Sequence, residues 1–291
     1  MDRRAEGVKA LQRHFACTRC GACCNRAPEL ELGEAADFAD TFVLQLLMRI
    51  YSLPRSVADY ASELPREQSN AEYFESKRLL AVFAAASWPA KVRRGDRTVD
   101  YVQYLSLSVL PLDLGLGSCT ALNGTSCAIY DKRPLSCRSV PLHYSRPTAA
   151  AARDLDAFVA TPGFLCDSGP SALLVIAEAG LVDPAMIAAR SDAAARAQTD
   201  QRWKAAIVKA MKAGQHGLPS PREVEAQATR GALSASMLGA WRIGLAAPEA
   251  KRLLEQQCQL VERELQQGRS NAGAAGTMRE ILSEYRTALA G

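Results

Sequence analysis

Glu34-Ala-Ala-Asp-Phe-Ala-Asp-Thr-Phe-Val-Leu-Gln-Leu-Leu-Met-Arg-Ile-Tyr51 is the stretch on which the fold assignment turns. Its apolar residues Phe38, Phe42, Val43, Leu46, Leu47 and Ile50 recur at helical intervals, and its acids gather at the start, where a helix dipole favours them. That spacing predicts a helix ended by Pro54, with further helical pieces at Ser56–Glu63 and Glu72–Ser87 and a short helix leading up to Phe15. Downstream the period changes. Val99, Tyr101, Leu105, Leu107 and Val109 alternate with Thr98, Asp100, Ser106 and Ser108, the pattern of a half-buried strand, single or joined from two around Gln103. A loop-rich tract, Asp113–Pro147, follows with Gly115, Gly117, Asn123-Gly124 and Pro134. From Ser171 the chain is alanine-rich, with breaks at Gly180, Asp183-Pro184, Gly214–Pro221, Pro248 and Gly268–Gly276 that delimit four or five helices. The expected fold is α+β and predominantly helical, a small β element and loops carrying a cysteine cluster with helices around it. Residues 1–170 read as one domain with a helical insertion at about 29–92, and 171–291 as a C-terminal helical region that offers a surface to a protein partner.

Four of the nine cysteines fall close together near the start: Cys17, Cys20, Cys23 and Cys24. On a helix they would span an arc of about 120°; Gly21 allows a tight non-helical turn instead. A Cys-x2-Cys pair is a chelating unit because its short loop lets two sulfurs reach one ion. Two such units overlap here. Cys119, Cys127, Cys137 and Cys166 form a second set. With hydrophobic residues at 48%, the chain can bury a core without disulfide staples. The charged Met1–Lys9 stretch precedes no apolar signal region, so the expected compartment is the cytoplasm, where thiols stay reduced. A net charge of +4 gives no support for a nucleic-acid partner, no run is long enough to enter a membrane, and three histidines argue against a histidine-rich catalytic metal site. Thiolate clusters are anionic, and Arg13, Arg19, Arg26, Lys132, Arg133 and Arg138 flank the two sets as candidate compensating cations.

The cysteine run, followed by Cys127-Ala-Ile-Tyr-Asp-Lys-Arg-Pro-Leu-Ser-Cys137-Arg138, resembles the YkgJ-type CxxCxxCC family of zinc- or iron-chelating proteins. The resemblance covers Phe15–Pro28 and about Gly117–His143. It implies that Cys17, Cys20, Cys23, Cys24, Cys119, Cys127 and Cys137 are metal-binding positions, with Cys166 favoured as the eighth, and it makes Arg133, Pro134 and Arg138 motif positions. The implied cofactor is zinc, iron or an iron–sulfur cluster. Some members are labelled oxidoreductases, and flagellin lysine methylases carry a similar domain. This chain departs from compact relatives by the long insertion between Cys24 and Cys119, and its Cys166 follows Pro162-Gly163 where relatives have Cys-Pro-Gly.

Other residues read more plainly. Leu254, Cys258, Val261 and Leu265 form a helical stripe, which makes Cys258 a core residue. His14 and His143 are expected to be hydrogen-bonded structural histidines rather than ligands. Asp131 is expected to cap a short helix that opens with Pro134 and presents Cys137, while Arg133 or Arg138 donates toward sulfur or pairs with Asp131. Neither a dinucleotide fingerprint nor a P-loop is present. A metal-binding protein is therefore the favoured reading. The alternatives are an iron–sulfur oxidoreductase or protein-modifying enzyme, and a structural zinc protein.

Overall fold

A computed structural model of the chain describes residues 12–22, 24, 27–55, 78, 81–94, 96–142, 148, 151–178, 180–227 and 232–291. The helices expected at Ser56–Glu63 and over residues 72–77 lie outside these, as do Cys23, Arg26 and His143; of the helix expected to lead up to Phe15 the described end, Arg13–His14, is strand. The described secondary structure is 46% helix and 22% strand. The fold is mixed α+β, and the expectation of a predominantly helical protein is corrected.

The correction begins with the decisive stretch. Only Leu32–Phe38 is helical, and as a 3-10 helix; Leu44–Pro54 is a strand, β2. It lies between Arg97–Pro111 (β4) and Ala232–Ser236 (β9), and Ala86–Arg94 (β3) pairs with the far side of β4, so the antiparallel order is β3-β4-β2-β9. The end of the expected Glu72–Ser87 helix is thus strand as well. The physical reason is burial on both faces: Leu44, Leu46 and Met48 are fully buried, and Leu47, on the opposite face, nearly so. A near-continuous apolar run satisfies a helical period as well as an alternating one. Strand β4 carries the alternation expected of it and is continuous through Gln103. Its Tyr101, Leu105, Leu107 and Val109 are buried.

The helices are Leu135–Arg138 (α1), Ala151–Val159 (α2), Pro184–Thr199 (α3), Gln201–Lys212 (α4), Pro221–Gln227 (α5), Leu238–Gly244 (α6), Ala247–Gln267 (α7) and Ala272–Ala290 (α8). Their ends follow local chemistry. Asp183 accepts a hydrogen bond from Met186 N at 2.7 Å, Asn271 accepts one from Ala274 N at 2.8 Å, and Gly268 ends α7 in the left-handed conformation at φ 64°. One core joins the sheet residues Leu44, Leu46, Leu105 and Val109 to Ile207, Met211, Trp241, Leu253, Val261 and Tyr285 from the helices. Cys258 belongs to it, as expected. A smaller core of Phe15, Leu142, Leu155, Val175, Ile176 and Met186 sits around a three-stranded sheet made of Arg13–His14 (β1), Leu174–Ala177 (β7) and Gly180–Leu181 (β8). No helix among the described residues is long and apolar enough to cross a membrane.

Buried polar groups fix how the 3-10 helix and β2 dock on the helices. Gln257 of α7, with no exposed surface, donates to Ala39 O (2.6 Å) and Phe42 O (2.8 Å) and accepts from Leu44 N (2.9 Å). Lys204 of α4 pairs with Glu31 at 2.9 Å, and Asp200 accepts from Gly33 N at 2.8 Å.

Candidate metal centre

The first cysteine run leaves the small sheet in extended conformation. Ala16 and Asp167 exchange both backbone hydrogen bonds (2.8 and 3.0 Å), and Thr18 Oγ1 donates to Leu165 O at 2.9 Å. In antiparallel pairing the next step from that exchange sets Cys17 opposite Cys166. His14 lies 2.9 Å from Ala172 O through Nδ1, the structural role expected of it. The chain then turns sharply, with Arg19 and Gly21 both left-handed (φ 59° and 72°), and Cys24 N donates back to Gly21 O at 2.9 Å. A non-helical turn, rather than a helix face, carries Cys20 and Cys24.

The second set is built on a tight hairpin. Leu122–Asn123 (β5) pairs with Ser126–Cys127 (β6) around Gly124, at φ 62°. Cys119 stands just before it, with Leu122 N donating to Cys119 O at 3.1 Å. A 3-10 turn at Tyr130–Lys132 leads to Pro134, which serves as the N-cap of α1. The expected cap, Asp131, is therefore not the one used. The helix amide of Leu135 instead donates at 2.8 Å to the buried carboxylate of Glu34, more than ninety residues earlier.

Contacts among the described residues join the sets. Cys119 N donates to Cys24 O at 2.8 Å. The Tyr130 ring has the Arg19 guanidinium carbon 3.9 Å from its centroid and that of Arg133 at 3.8 Å. Two cations cannot share one ring face at that range, so the ring is sandwiched between an arginine from each motif. Arg133 Nε also donates to Tyr130 O at 2.9 Å rather than pairing with Asp131. Arg138 is exposed, and Arg13 is bound to Asp156 at 2.6 Å, away from the thiols it was expected to compensate.

The thiols of Cys119, Cys127 and Cys137 lie close enough to feel one another's charge. Burial pushes Cys137 up to about 12, the neighbouring thiols of Cys119 and Cys127 push the same way, and Arg133 and Ser136 oppose them. Burial also raises Cys119, against a hydrogen bond from the Ala121 backbone amide. Ser136 Oγ is buried, and its hydroxyl favours the ionised form of the adjacent Cys137 thiol. Among the described residues no three Cys, His, Asp or Glu side chains are disposed to hold one ion. The geometry gives one thiol neighbourhood, Cys119 with Cys127 and Cys137, to whose side Cys24 is tied through its backbone, and a separate backbone pairing, Ala16 with Asp167, next to Cys17 and Cys166. Ala121, Ser136, Tyr130 and Glu34 were not singled out as site residues by the sequence reading. Tyr130 and Ser136 carried a signal, their place inside the Cys127–Cys137 motif.

The segment from residue 16 to residue 159 matches the model of a family, CxxCxxCC, described as "Putative zinc- or iron-chelating domain". That segment belongs to the CxxCxxCC family. No curated protein and no solved structure matches the chain. The CxxCxxCC segment begins at the Ala16–Asp167 bridge and ends with α2, so it contains both cysteine runs and the sheet strands β2 to β4 but neither Cys166 nor β9.

Two substitutions check how the CxxCxxCC motifs are held together. A Cβ on Gly21 would stand 2.8 Å from Thr125 O on the hairpin, whereas one on Gly124 meets nothing within 4 Å. Both glycines are left-handed, which costs a non-glycine residue about 1–2 kcal/mol. Gly21→Ala is expected to lower the urea midpoint more than Gly124→Ala, the excess reporting the clash between the two sets. Tyr130→Leu removes the ring from both guanidiniums, with an expected loss of roughly 1–2 kcal/mol. Trypsin should then cut faster after Arg19, and an unchanged cleavage rate would show that the stack does not order that turn.

Proposed function

We propose that this chain is a metal-binding protein whose cysteines Cys17, Cys20, Cys23, Cys24, Cys119, Cys127, Cys137 and Cys166 hold zinc or iron, the iron as ions or as an iron–sulfur cluster. The observation that carries this reading is the Cys119 N to Cys24 O hydrogen bond, which draws together two cysteine runs separated by most of a sheet. The donor chemistry fits. Buried thiols that raise one another's pKa call for more positive charge than the single Arg133 cation beside Cys137, and a thiophilic cation supplies it.

Bound zinc would lend folding free energy to these loops, and an iron–sulfur cluster would add electron transfer. The chain's own groups prepare the sulfurs for ionisation. The Ala121 amide donates to Cys119, and Ser136 and the Arg133 cation favour the ionised form of Cys137. Arg133 is in turn held by the Tyr130 ring. Glu34 fixes the start of α1, which keeps Cys137 in place whatever the sulfurs bind.

Anaerobic purification with metal and acid-labile sulfide analysis tests the proposal. Colourless protein with bound zinc, or brown protein with iron and sulfide, is the expected result, and a strong chelator should lower the unfolding midpoint of either. Protein prepared without oxygen that holds neither metal would overturn the reading.

A further inference from the structure

A groove of about 710 Å³ lies beside α1, away from the thiols. Leu135 and Arg138 of that helix line it, and Cys137 does not, so the four-residue helix is a wall between two sites. The groove's charges are segregated. The segment from residue 130 to residue 138 contributes Lys132, Arg133 and Arg138. The facing elements, the 3-10 helix and α3, contribute Glu34, Asp37 and Asp192. Each side has one exception, Asp131 and Arg196, and Arg196 is turned toward Gly33 O at 3.3 Å. Between the walls, Phe38 and Leu135 give a buried apolar floor.

Elsewhere on this protein opposite charges within reach pair, as in Arg13 with Asp156, Arg269 with Glu264 and Arg286 with Glu262. Among the described residues no ion pair joins Lys132 or Arg138 to Asp37 or Asp192. The two signs face each other across a gap they do not close. A ligand with one charge would satisfy one wall and be repelled by the other; a ligand with a carboxylate at one end and an ammonium at the other satisfies both.

We propose that this groove binds a zwitterion of short-peptide size, its carboxylate toward Lys132 and Arg138 and its ammonium toward Asp37 and Asp192. None of the thiols lines the groove; Arg133 and Glu34 serve the cysteine side as well, so the ligand's two charges are assigned to Lys132, Arg138, Asp37 and Asp192 alone. Its volume falls in the range of small-molecule sites.

Calorimetric titration with triglycine tests it, run beside N-acetyl-triglycine and triglycine amide. Free-ended triglycine is expected to bind at least about tenfold more tightly than either capped form, roughly the lower end of the worth of one charge-assisted hydrogen bond. Lys132→Gln should abolish the advantage over the amide, and Asp192→Asn the advantage over the acetylated form. Each variant should leave the other advantage intact and the metal content unchanged. A merely structural effect of either variant would weaken all three peptides alike and would overturn the proposal. So would the absence of binding by free-ended triglycine, or equal binding of the three forms.

Discussion

Protein in which Cys119 and Cys137 are both serine is expected to retain background metal only, a loss of more than about 100-fold in affinity for zinc or iron. Changes to groups that merely orient metal ligands already cost 10- to 100-fold, on the order of magnitude generally seen, and here two of the proposed ligands themselves are lost. Serine keeps the size but replaces a soft donor with a hard one that does not ionise at neutral pH. Among the described site cysteines these two are the ones whose thiols burial raises, so the cation they would share has the most to contribute there. Cys258→Ala is the control. That thiol is buried in the main core, far along α7, and its loss should cost stability through packing while leaving metal content intact. Equal metal in the double variant and in the parent, measured by elemental analysis after anaerobic preparation, would remove the second cysteine set from the site.

The largest stability effect away from the sulfurs is expected at Gln257. Its amide satisfies two carbonyls and one backbone N–H in the turn between the 3-10 helix and β2, all in a fully buried setting. Gln257→Leu keeps the volume and strands all three groups. At about 1–3 kcal/mol for each buried group left without a partner, and allowing for partial relaxation, the loss should be about 4 kcal/mol. For a chain of this length that corresponds to roughly 10 °C in melting temperature. Gln257→Glu should be at least as damaging. It can accept from Leu44 N but cannot donate to Ala39 O and Phe42 O unless protonated, and a bare carboxylate there has no cation among those contacts. A melting temperature within a degree or two of the parent in both variants would show that the turn finds other partners.

How far the fold was legible depends on the range of each cause. Strand β4 announced itself because one face is buried and the other is not, so its letters alternate. β2 did not, because both faces are covered and the apolar run fits several periods. Helix ends at Asp183-Pro184 and Gly268 were legible as breaks because capping is chemistry between near neighbours, although the break expected over Gly268–Gly276 ends at Asn271, where the last helix is capped. Gln257 and Glu34 act on backbone far away in sequence, and nothing in their surroundings marks them. The candidate site divides the same way. Spacing within Cys17–Cys24 exposes a chelating run, and the Cys127–Cys137 motif exposes its counterpart. The backbone pairing next to Cys17 and Cys166, Ala16 with Asp167, is one that no local pattern encodes. The sandwich at Tyr130 likewise required the two arginines to be seen in space.

The position of β9 has a consequence for how the protein is made. Strand β2 emerges from a ribosome early, after the first cysteine run and before the second, while the strand that covers its second edge is among the later segments synthesised. Until Ala232–Ser236 arrives, a nascent chain displays β2 with an open, apolar edge, a feature prone to wrong pairing. Cellular factors that shield growing polypeptides therefore have a long interval over which to act on this one.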